Sequence, residues 1–281
     1  MANIVIDQAE GLRRMLERPK PRIFTFLSVL PIAEKNSTLI NLAGSLARSG
    51  SNVLLVDALD SGIASSALSR LSHPAPASLL DVATQRHALD DAVRMTPQGF
   101  NIARLSGPVA SLGTHPLALR LSQIFNTLVD RVDLMLVNAE LDEEDGLPLS
   151  TMEAGEIIIQ VTGNSASIKA AYVLLKRLNE KLGRRPVSLL VTGSSDRDAQ
   201  TVFANMSKAA SRYLASQLRF LGSVPADIHL ARAAVLGRSV GDAFPRTAAA
   251  LAFNRLAEQF SAPFIAASAY DMDLGPVSIG V

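Results

Sequence analysis

The sequence predicts an α/β fold: a doubly wound, mostly parallel sheet flanked by helices. Two observations carry this. From Arg22 onward, short apolar runs alternate with amphipathic stretches of helical spacing. Several of the runs, such as Val53-Leu54-Leu55-Val56 and Ile157-Ile158-Ile159, are apolar without interruption, as strands covered on both faces are. Crossovers between such strands are right-handed.

Taken in order, the strands are predicted over Ile23–Val29, Asn52–Val56, Phe100–Arg104, Leu134–Val137, Glu156–Val161, Val187–Thr192 and Phe220–Val224. Helices are predicted over Ser37–Ser49, Ser78–Ala83, Pro116–Val129, Ser165–Leu182, Arg197–Ser216, Ile228–Leu236 and Ala248–Phe260. Residues 22–262 read as one α/β domain and residues 263–281 as a flexible tail. Residues 1–21 form a unit of their own. Asp7 caps a helix whose Ala9, Leu12 and Leu16 share a face, and Pro19 and Pro21 end it as a stiff linker. That face either packs on the domain or is offered to a partner.

Composition narrows the function. The chain has 27 basic and 26 acidic residues, a net charge of +1, which gives no support to a large nucleic-acid surface. There is no cysteine, so thiolate catalysis and Cys-ligated metals are excluded, and the four histidines show no metal-ligand spacing. No apolar run reaches a membrane span, and Asp7, Glu10, Arg13 and Arg14 break any secretory core. A cytoplasmic protein is the expectation. The tail carries no Lys or Arg after Pro263, so no direct membrane anchor is expected there. Arginines 212, 219, 232, 238, 246 and 255 recur through the C-terminal helices and read as solvated faces.

One stretch carries chemistry. Phe24 to Ser28 runs into a connector, and Lys35-Asn36-Ser37-Thr38 opens a helix. This is the layout of a strand, phosphate loop and helix. The connector itself is Val29-Leu30-Pro31-Ile32-Ala33-Glu34, without glycine, with a proline that has no N–H and with a carboxylate where an anion would sit. By itself, Lys35 at a helix start reads as a surface residue before it reads as a phosphate ligand.

The order of motifs resembles the MinD/ParA group of deviant phosphate-loop ATPases. The lysine helix with Asn41-Leu42-Ala43 is followed by Val53-Leu54-Leu55-Val56-Asp57-Ala58, Leu79-Leu80-Asp81-Val82, Ser167-Ile168-Lys169-Ala170-Ala171 and Leu221-Gly222-Ser223-Val224-Pro225-Ala226-Asp227. Asp7-Gln8-Ala9-Glu10-Gly11-Leu12-Arg13 is similar to the Asp-Gln-Ala-x-x-Leu-Arg segment that opens the FlhG (FleN) branch, and Ala243-Phe244-Pro245 is similar to the end of that branch. The resemblance implies that Asp7, Gln8, Ala9, Leu12 and Arg13 engage a FlhF-like, signal-recognition-type GTPase and stimulate it. Flagellar basal components or a transcriptional activator are further partners it implies. It also implies a role in flagellar number or placement, with recruitment to the cell pole or flagellar base by a partner.

The family's catalytic equipment does not carry over. Against its Gly-Lys-Gly-Gly-x-Gly-Lys-Thr-Thr loop, the signature lysine falls on Leu30 and the magnesium threonine on Asn36. The second aspartate of its Asp-x-Asp falls on Leu59, with Asp60 one place late. The magnesium aspartate of the central strand falls on Asn138, and the adenine-reading asparagine falls near Thr192. Lys35, Ser37 and Asp57 remain as a vestigial site. Charge-assisted bonds contribute about 1.5–3 kcal/mol each, and a micromolar-range nucleotide affinity rests on roughly 6–8 kcal/mol in all. Losing several such bonds and the metal removes more than that. The expectation is a pseudo-ATPase with no catalytic residue, no metal and no nucleotide cofactor. The alternatives are an ATP-switched MinD-like ATPase with an unusual loop and a scaffold for another partner. The oligomeric state is open: a monomer, or a dimer through Leu30, Pro31 and Ile32.

Overall fold

The structure is a computed structural model and describes residues 22–59, 68, 71, 76–105 and 116–261. The segments 1–21 and 262–281, and with them the predicted partner helix, Asp7, Gln8, Ala9, Leu12, Arg13 and the tail, lie outside the described residues.

Eight strands form one sheet: β1 (Arg22–Ser28), β2 (Val53–Asp57), β3 (Arg94–Met95), β4 (Asn101–Arg104), β5 (Leu134–Asn138), β6 (Glu156–Thr162), β7 (Val187–Thr192) and β8 (Leu218–Val224). Their order is β3-β4-β2-β5-β1-β6-β7-β8. Every pairing is parallel except that of the two-residue edge strand β3 with β4. The chain steps from β5 across β1 to β6. The carboxyl ends of β5, β1 and β6 therefore meet at a topological switch, the place where open α/β sheets hold ligands.

Alternation sorts each strand between two cores. On β2, Val53 and Leu55 join one core, while Leu54 and Val56 join the other. The first core lies under helix α1 (Ile32–Arg48) and the C-terminal helix α8 (Ala248–Ser261), where Leu39, Leu42 and Leu46 meet Phe24, Phe26, Phe253 and Phe260. The second lies under α2 (Leu79–Ala83), α3 (Pro116–Val129), α4 (Ser165–Leu182) and α5 (Asp196–Leu214). Two short helices, α6 (Ile228–Val235) and α7 (Val240–Ala243), lead into α8. Side-chain caps fix several starts: Ser78 and Asp81 form a capping box on α2, Asn164 caps α4, Ser195 caps α5 and Asp227 caps α6.

The α1 side is tied together by polar contacts as well. Asn41 Oδ1 accepts the Val240 N–H at 2.6 Å, and the Arg48 guanidinium reaches Ser45, Ser239 and Asn254. Gly155 marks a close backbone approach, since a Cβ there would lie 2.2 Å from the Ile23 carbonyl oxygen. No helix among the described residues is long and apolar enough to cross a membrane.

One predicted boundary moves by more than a turn, and others shift by one or two residues. Helix α1 begins at Ile32, five residues before the predicted Ser37, because Ile32-Ala33-Glu34-Lys35 continue the helix instead of forming a loop. Strand β3 and helix α7 were not predicted. Two and four residues are too short to show a period.

Candidate functional site

Period-2 alternation places one polar residue at the end of each apolar stripe that faces α1. Val53 and Leu55 lead to Asp57, Leu134 and Leu136 to Asn138, and Ile158 to Gln160. Asp57 and Asn138 are direct partners across β2 and β5. Thr192 ends β7 on the same side. Helix α1 lowers Lys35, Asn36 and Thr38 onto this row. All seven side chains are buried.

Two clusters result. In the first, the Asn138 amide donates to Asp57 Oδ1 at 3.0 Å and to Asn36 Oδ1 at 3.2 Å. The Lys35 ammonium donates to the Ala139 carbonyl at 2.5 Å. In the second, the Gln160 amide donates to Thr38 Oγ1 at 2.9 Å and to Thr192 Oγ1 at 3.4 Å. Three buried acceptors, Asp57 Oδ2, Asn138 Oδ1 and Gln160 Oε1, have no hydrogen-bond partner among the described residues.

Burial sets the charges. It pushes the Lys35 ammonium down to about 8, against the pull of Glu140 and Asp57. It raises Asp57, while the Leu59 and Asn138 amides and the charges of Lys35 and Arg104 oppose the rise. A buried ammonium and a buried carboxylate thus lie within Coulombic reach of each other at the carboxyl ends of β2 and β5, each bonded to a neutral partner, Ala139 and Asn138.

The reading of Lys35 as a surface residue is corrected: its side chain is 1% exposed. The helix start is the reason. Only Val29, Leu30 and Pro31 separate β1 from α1, so Lys35 sits one turn inside the helix and points back at the sheet. Ser37 is half-buried and its carbonyl accepts the Asn41 amide at 2.7 Å. Leu59 is buried and Leu30 half-buried, while Asp60 lies outside the described residues.

The connector's amides are largely spent. The Leu30 N–H goes to Ser28 Oγ at 3.1 Å, and those of Glu34 and Lys35 go to the Pro31 carbonyl. Pro31 has none. A polyphosphate needs successive free N–H groups and an outward lysine, and magnesium needs hard oxygen ligands. Here Asn36 and Asn138 stand where such ligands would be and bond to each other. The residues present do not fit Mg-ATP. Among the described residues no cluster of His, Cys, Asp or Glu could hold a metal.

The Gln160 network escaped sequence reasoning. Its signal was available: Gln160 falls on the α1 parity of an otherwise apolar strand. Beside the cluster, on the α4 side, a cavity of about 410 Å³ is lined by Leu27, Val29, Leu141 and Leu174, with Glu140 and Arg177 among its polar residues.

No family model matches the chain. It is 30% identical to the antiactivator FleN of Pseudomonas aeruginosa over 228 residues, covering 80% of this chain and 81% of that protein. The chain belongs to the FleN-type, MinD-like P-loop ATPase family. It is also 30% identical to the chromosome-partitioning ATPase Soj of Thermus thermophilus over 239 residues, covering 81% of this chain and 90% of Soj. Among solved structures, the cell division ATPase MinD of Pyrococcus furiosus has the same fold. Its TM-score is 0.64 at 21% identity, over 85% of this chain and 98% of that one. A ParA family ATPase from Chlorobium tepidum matches with a TM-score of 0.60 at 19% identity, over 85% and 99% of the two chains. In this FleN-type chain Lys35 and Asp57 are buried at the carboxyl ends of the strands beside the switch point.

The arginines expected on the C-terminal helices are partly engaged, although Arg219 lies on strand β8 and Arg238 in the turn between α6 and α7. Arg219 pairs with Glu156, Arg238 with Asp242 at 2.6 Å and Arg255 with Asp196 at 3.8 Å.

Proposed function

We propose that this FleN-type protein is a non-catalytic regulator that neither binds nor hydrolyses ATP to a useful extent. One observation carries the reading: α1 begins at Ile32 and turns Lys35 inward onto the Ala139 carbonyl. A helix turn and an engaged ammonium take the place of the loop and the charge that would hold phosphates. Its output is then protein binding. The segment Asp7-Gln8-Ala9-Glu10-Gly11-Leu12-Arg13 is the part we assign to a FlhF-like GTPase, whose hydrolysis it stimulates, and through it to flagellar number or placement. Arg13 can order the partner's active site from outside, as trans-acting arginines do.

Calorimetry with Mg-ATP and Mg-ADP on the purified chain tests the first half. No heat up to millimolar nucleotide is expected, and micromolar binding would return the protein to the ATP-switched dimers. Gln8→Ala with Arg13→Ala tests the second half. Stimulation of the GTPase should be lost, and unchanged stimulation would sink the assignment. The relative FleN is an antiactivator by name, which favours a transcriptional activator as a further partner.

A further inference from the structure

We propose that Lys35 is the site's built-in occupant, pinning the segment after β5, residues 139–149, to α1 whether or not a nucleotide is present. The proposal rests on the reading that the pocket takes no ATP and goes beyond it, because it names what holds the site's outlet in one state.

Three observations support it. The Lys35 ammonium is buried and donates to Ala139, the first residue past β5, whose own N–H goes to the Phe26 carbonyl at 3.1 Å. Ala139 is thus clamped from the helix side and from the neighbouring strand. The segment then folds from that point as a fixed unit. Asp142 Oδ1 accepts the N–H groups of Glu144 and Gly146, Asp145 pairs with Arg177 on α4, and Leu147 and Leu149 are buried. Finally, Glu140 and Leu141 of this segment form part of the wall of the cavity against α4. The tether therefore fixes the shape of a surface opening.

A segment held by a side chain of its own protein does not wait for a ligand. In charge, the buried ammonium brings a positive charge into the site that holds Asp57 without touching it. In geometry, its hydrogen bond joins α1 to the β5 outlet directly. The cavity wall is then preformed.

Amide hydrogen exchange on the full chain without nucleotide tests this. Lys35→Met should speed exchange across residues 139–149 by about tenfold, the loss of one charge-assisted tether, while α8 exchanges as before. Exchange in 139–149 equal to wild type would overturn the proposal. Because Lys35→Met leaves Asp57 unbalanced, the double variant Lys35→Met/Asp57→Asn is run beside it. It lacks the tether but keeps the charge balance, so faster exchange is again expected. Wild-type exchange in it would show that charge balance, not the tether, holds the segment, and would overturn the proposal. Adding Mg-ATP to the wild type should change nothing in 139–149, and a slowed exchange there would also overturn it. The two readings fail separately. Calorimetric heat without any change in exchange defeats the pseudo-ATPase but not the tether. No heat, with Lys35→Met exchanging as wild type, defeats the tether alone.

Discussion

At the scale of single residues, Lys35 and Asp57 decide how this protein responds to mutation and to pH. The two make no direct contact, but each feels the other's charge, and removing the ammonium leaves the buried carboxylate less compensated, which costs up to about 3–5 kcal/mol, the figure for a broken buried pair. Lys35→Met should lose that much in urea denaturation at neutral pH, and Lys35→Met/Asp57→Asn should recover more than half. The pH dependence follows from the ammonium lying at about 8 instead of 10.5. Between those values the unfolded chain holds a proton that the folded chain has released. Stability from this group is therefore lowest below about 8 and rises with pH through the window. The urea midpoint of the wild type should gain on that of Lys35→Met between these values, and a flat difference would contradict the buried ammonium. The site was half legible in the sequence. Lys35, Asp57 and Asn138 were named from the motif, and the losses at Leu30, Asn36 and Leu59 with them. What could not be read was that Lys35 points inward. A motif fixes spacing along the chain, whereas direction depends on where the helix begins.

At the scale of elements, the start of α1 is that deciding feature. Ile32-Ala33-Glu34-Lys35 has no helix breaker, and Glu34 sits in the first turn, where a negative charge suits the helix dipole. Pro31 stands just before it, at the N-cap position. The family motif suggested a loop here and local propensity won. Elsewhere periodicity was enough: Val187–Thr192, Ser165–Leu182 and Pro116–Val129 run as their apolar patterns predict. Tertiary ties between elements were not legible. Asn41 lies on a helix face that reads as ordinary, yet its amide oxygen is what satisfies the Val240 N–H that opens α7. Asn41→Ala should cost about 1–3 kcal/mol by leaving that buried donor unmet. It should also loosen α7 in hydrogen exchange, while α4 on the far face is unaffected.

For the whole molecule, the proposed function divides the work between the sheet and the N-terminal segment. The described residues build an α/β body around two cores, and the motif proposed to engage the GTPase falls in residues 1–21, which are not among the described residues. Deleting residues 1–21 should abolish stimulation of the GTPase and leave the urea midpoint within about 0.5 kcal/mol of the full chain. A large loss of stability would mean that the segment belongs to the core instead. The order of the sheet has another consequence, for synthesis. Strand β1 is made first among the strands but stands between β5 and β6, whose pairings with it span Arg22↔Leu134 to Ser28↔Gln160. Phe24, Phe26 and Leu27 therefore leave the ribosome more than 100 residues before their neighbours exist, a wait of about 5–25 s at 5–20 residues per second. During that interval the strand at the centre of the finished sheet is an unpaired apolar segment, and a nascent chain stalled before β5 is the form on which a chaperone would be found.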